Sequence, residues 1–79
     1  MDKSGVVKLA DLVISLNNAY QALLALEQQE QKTYDDMSEE RQYSVEGEIM
    51  IETIEGIDDA LEELGISIDT LRGVLKNNK

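Results

Sequence analysis

The only side chains in this sequence with the types and spacing for chemistry are carboxylates. Glu27-Gln28-Gln29-Glu30 is an ExxE and Glu55-Gly56-Ile57-Asp58 an ExxD. Residues three apart share a helix face, so each pair sets two carboxylates side by side, and two such pairs together offer the all-oxygen ligands that Mg²⁺ takes. Cys and His are both absent, which removes disulfides, thiolate nucleophiles, imidazole bases and N/S-ligated metals together. With no His there is no Ser/His/Asp set, and neither a Gly-rich phosphate loop nor an Asp-rich calcium loop is present.

The two acidic pairs resemble the magnesium-binding motifs of the all-helical MazG-like nucleotide pyrophosphohydrolases, which implies a Mg²⁺-dependent hydrolase as one alternative. The likeness covers four acids only. The residues themselves argue against it: with 17 acids in 79 residues such spacings arise by chance, Glu55 falls on the outward side of its helix, and no Lys or Arg stands near to take phosphates. The expectation is a non-enzyme, with no catalytic residue, metal or cofactor.

The elements that would carry these acids are legible from periodicity. Met50, Ile54, Ile57, Leu61, Leu64, Ile68, Leu71 and Leu75 alternate in steps of four and three, the a/d rhythm of a helix lying against another helix as in a coiled coil. Ser44 caps this second helix, which covers about 45–76, with Glu46 and Glu48 at its positive end and Arg72 and Lys76 at its negative end. Gly47, Gly56, Gly65 and Gly73 each cost about 1 kcal/mol against Ala inside a helix, and Gly65-Ile66-Ser67 also reads as a cap followed by a new start. The unbroken seam across Leu64 and Ile68 favours one continuous helix.

The first helix is expected over about 5–32, capped by Ser4, with a seam of Leu9, Leu12, Leu16, Ala19, Leu23 and Leu26. Val6, Val13 and Tyr20 form a second apolar row, and Val7, Ala10, Ile14 and Leu24 widen the face further, a width normally buried on two sides. Between them, 33–44 reads as an elbow containing at most one helical turn. The whole, 1–79, is a single all-α domain: an antiparallel two-helix hairpin. A chain this short, without staples, struggles to bury enough surface alone, so a homo-oligomer is expected, most simply a dimer forming a four-helix bundle through Leu9, Val13, Leu16, Tyr20 and Leu23.

Leu9 to Leu26 is apolar, but Asp11, Asn17, Asn18 and Gln21 interrupt it and no small-x-small cleavage site follows, so neither a membrane span nor a signal peptide is expected. The expected compartment is the cytoplasm.

Charge is one-sided. Residues 27–69 hold 15 acids against Lys32 and Arg41, a net of −13, while the rest holds two acids and five bases, a net of +3. Phosphates would be repelled from most of this surface, so direct nucleic-acid binding is not expected. Glu48, Glu52, Glu55, Asp59 and Glu62 line the outer face of helix two in steps of three and four, recurring about every 5 Å. One reading is a solvated face that keeps the protein soluble; the sharper one is a surface for a basic partner, a phosphate-like ladder. Tyr20 reads as packing. Tyr34 and Tyr43, beside the elbow, read as packing or as contact anchors.

Finally, Glu30-Gln31-Lys32-Thr33-Tyr34-Asp35-Asp36-Met37-Ser38-Glu39, followed by Gln42-Tyr43-Ser44-Val45-Glu46-Gly47-Glu48, resembles an E-Q-x-x-Y-D-N-x-P-E elbow and Q-x-S-E-R-G-E helix start found in small acidic helical-hairpin proteins of phages and bacteria. Asp36 stands for the Asn, Ser38 for the Pro, and Val45-Glu46 for the Glu-Arg pair. The resemblance covers about the central third plus the heptads. It implies a hairpin of phage or mobile-element origin and carries no activity. The leading expectation is therefore a small acidic protein that binds and inhibits a basic host protein; a structural component of a larger assembly is a further alternative.

Overall fold

The computed structural model describes residues 1–78 and is all helical: α1 runs Lys3–Asp35, α2 Glu39–Gln42 and α3 Val45–Asn77. α1 and α3 lie side by side as an antiparallel hairpin, a rod of 58 × 15 × 13 Å. The two ends meet, with the Met1 amino group donating to Asn78 Oδ1 at 3.1 Å.

Local signals set the ends. Ser44 caps α3 by accepting from the Gly47 amide, and Ser38 caps α2 by accepting from the Arg41 amide, each satisfying an otherwise orphaned donor. The start of α1 differs from expectation: the cap is Asp2, whose Oδ1 accepts from the Gly5 amide at 2.7 Å, and Ser4 lies within the first turn. Asp2 adds its charge at the positive end of the helix. α3 runs unbroken through Gly65, as the continuous seam across Leu64 and Ile68 favours; a Cβ added at Gly65 would meet Tyr20 at 3.6 Å, an ordinary contact.

All eight predicted α3 seam residues are turned inward, with Leu61 and Ile68 only 4% and 3% exposed. On α1 the seam differs. Leu12 is 59% exposed, Leu26 43%, and Ala19 is also exposed, so these three are not core. The residues that meet α3 are Val6, Leu9, Val13, Leu16, Tyr20 and Leu23, continued by Glu27, Glu30, Tyr34 and Met37 at the same three-four spacing, all buried or half-buried. Leu9, Val13, Leu16, Tyr20 and Leu23, anticipated as contacts between copies, are thus used within the chain as the α1 half of its own seam.

The elbow packs tightly. Met37 is buried, and Gln42 Nε2 donates to the Tyr34 carbonyl at 2.9 Å. Gly47 is buried where α2 crosses the start of α3; a Cβ there would collide with the Gln42 and Arg41 carbonyls. Only Gly fits that approach.

Among the described residues one helix, Lys3–Asp35, is by length and composition long and apolar enough to cross a membrane, with mean hydropathy 1.3 over 18 residues. Its inward face is already engaged by α3.

Candidate functional site: the acidic face and the carboxyl groove

Antiparallel packing gives the hairpin two different flanks. On one, Asn17 and Tyr20 border a cleft with Gly65, Asp69 and Arg72. Farther toward the elbow the same flank opens into a groove of about 700 Å³ lined by Glu27, Gln28, Gln31, Lys32, Asp35, Asp36, Ile54, Glu55 and Asp58. The outer face of α3 adjoins it. Glu48, Glu52, Glu55, Asp59 and Glu62 are all exposed there, as their positions off the seam require. None of the five takes part in an ion pair among the described residues, whose three pairs are Lys32–Asp36, Arg41–Glu46 and Arg72–Asp69.

The groove gathers three of the four acids of the ExxE and ExxD. Glu27, Glu55 and Asp58 line it, whereas Glu30 is not among the lining residues and stands half-buried on the seam. The expectation that no base stands near is corrected: Lys32 lines the same groove, although its Nζ is engaged by Asp36 Oδ2 at 3.0 Å. Among the described residues no group of three or more carboxylates is arranged to hold a metal ion.

Glu27 is the distinctive member. It occupies a seam position, and its Oε2 is shielded from solvent with no amide, hydroxyl or cationic donor reaching it. Burial, then a carboxyl hydrogen bond to Asp58 and the charge of Asp58, push the Glu27 pKa above its ordinary 4.5. Two ionised carboxylates are both acceptors; one proton between them converts repulsion into a hydrogen bond. Spacing directed attention to Glu27 and Asp58 as members of separate pairs. Their meeting across the hairpin depends on the register between helices, which neither segment shows alone.

The aromatic residues divide. Tyr34 is half-buried and its carbonyl is bound by Gln42, so it belongs to the elbow's packing. Tyr43 is 79% exposed at the tip, beside Arg41, whose guanidinium holds Glu46 at 2.7 Å. An open aromatic ring therefore stands at the elbow, just before the start of α3. No protein-family model, curated protein or solved structure matches this chain.

Proposed function

We propose that this protein is a non-enzymatic interaction module that binds a basic protein surface through the outer face of α3 and the elbow, and inhibits that partner by occupying it. The observation carrying this reading is the row Glu48, Glu52, Glu55, Asp59 and Glu62, exposed along one face and free of intramolecular ion pairs among the described residues. Such a row recurs about every 5 Å along the helix, so a surface built to follow phosphates is the partner chemistry it suits. Tyr43 at the elbow adds an amphipathic anchor of the type enriched at binding hot spots. The likeness of the elbow to acidic hairpins of phages and bacteria supports a host protein as the target.

The test is capture from a bacterial lysate by the immobilised full chain, compared with a variant carrying Glu48, Glu52, Glu55, Asp59 and Glu62 all changed to Lys. The reading predicts retention of a specific basic protein by the native chain, displacement by added nucleic acid, and loss in the variant at unchanged helicity. Equal retention by both would overturn it.

A further inference from the structure

The flank opposite the groove is chemically different. Tyr20 lies against Gly65 and Glu27 against Asp58, so each step up α1 is a step down α3. That register brings Leu12, Ala19 and Leu26 within one residue of level with Val74, Ser67 and Ala60, which lie on the same flank; the three are seven residues apart on each helix and therefore in one row along each. None of the six is charged. Five are exposed and Val74 is half-buried, in a hairpin that among the described residues buries only four apolar side chains, Val13, Met37, Leu61 and Ile68.

We propose that this uncharged flank is where a second copy of the chain docks, face to face about a two-fold axis, giving a four-helix bundle. Two arguments select a second copy. The first is charge. Each copy carries a net −10, and association through the groove flank, where Val7 and Ile14 are also exposed, would set Asp58 and Asp69 of one copy near those of the other. The opposite flank brings no carboxylate row together; Lys8 and Asp11, which share a cleft with Leu12, and Glu63 border it. The second is size. The rows continue at the same spacing to Thr33 and Thr53, both exposed, a length of about 32 Å; across a face 15 Å wide that is about 500 Å² per copy, or about 1,000 Å² in all, the lower bound for a specific interface. Leucines alternating with Ala and Ser supply projections and recesses on the same surface, as an isologous contact requires.

Insertion of α1 into a membrane would compete for the same apolar surface. It would strip α1 from α3 and leave Leu61 and Ile68 uncovered.

The inference is independent of the proposed partner, because the docking flank and the acidic face do not overlap. Sedimentation of the full chain at tens of micromolar should give twice its 8.8 kDa. Ala19→Glu with Ala60→Glu should sediment as a monomer with helicity retained, since both positions are exposed within one hairpin. Asn18→Glu with Gln21→Glu, which adds two charges away from this flank, should remain dimeric. A monomeric native chain, a dimer surviving the Ala19/Ala60 changes, or dissociation by both variants would each overturn the proposal. So would loss of helicity in the Ala19/Ala60 variant, which would make the flank part of the monomer's core, or flotation of the native chain with phosphatidylcholine vesicles. Lysate capture by the Ala19/Ala60 variant reads out the acidic face separately.

Discussion

Glu27 and Asp58 meet carboxyl to carboxyl across the helix seam, in a position where the α1 rhythm of Leu16, Tyr20 and Leu23 would place another apolar residue. Whenever both are ionised, this part of the seam holds an unrelieved repulsion. Because the Glu27 pKa is raised in the folded state above 4.5, the folded chain binds more protons than the unfolded chain between those two values. Stability then falls as pH rises through the folded pKa, and the gain on acidification is complete once pH is below 4.5.

Lowering pH through the raised Glu27 pKa toward 4.5 should accordingly raise the thermal midpoint. Falling net charge contributes in the same direction, so the comparison with Glu27→Gln isolates the pair: that variant should be more stable than the native chain at neutral pH and gain less on acidification. Equal gains in the two proteins would remove Glu27 as the source.

Leu61→Ala should destabilise by about 2–5 kcal/mol, the range for truncating a leucine in a packed core. Glu62→Ala, one residue on and exposed, should fall within about 0.5 kcal/mol of native. Urea unfolding of the two variants checks the seam directly, and equal losses would misplace it.

The glycines separate by environment. Gly56 and Gly73 have open space where a Cβ would go, so each change to Ala should stabilise by up to about 1 kcal/mol. Gly47→Ala should destabilise instead, because the Gln42 and Arg41 carbonyls must move. Thermal melts of the three variants should show opposite signs.

Millimolar Mg²⁺ should produce no site-specific rise in the midpoint, judged by comparing the native chain with Glu30→Gln, Asp58→Asn. A ligand binding only the folded state would raise it by mass action. An increment present in the native chain and absent in the double variant, accompanied by nucleotide turnover, would establish the acidic pairs as a metal site.

How far the sequence could be read follows from how many stripes each helix carries. On α3 only one continuous apolar row is present, since Val45, Ile49, Ile51 and Ile66, which lie off it and are exposed, line up in no second row; Met50 through Leu75 were therefore legible as the buried face and the acids as the outer one. On α1 the stripes overlap. Leu12, Ala19 and Leu26 read as seam because the true continuation passes through Glu27 and Glu30, residues that hydropathy rejects, and only α3 decides between them. Ser4-Gly5 imitates a helix start as well as Asp2 does, and capping is decided by which side chain reaches the amide. Gly47 looked like one weak point among four, since the crossing of α2 over α3 leaves no periodic trace. The groove was half visible: its acids were singled out by spacing, while their opposition, and the presence of Lys32 beside them, depend on register.

The claim that the acidic face is a binding surface is tested most directly by the ionic-strength dependence of the captured partner's affinity. Charge complementarity between exposed groups mainly speeds association and is screened over a Debye length of about 10 Å at 0.1 M salt. Affinity for the native chain should fall steeply as salt rises, while the variant with Glu48, Glu52, Glu55, Asp59 and Glu62 changed to Lys should bind weakly at every salt concentration. A native affinity indifferent to salt and matched by that variant would contradict the account.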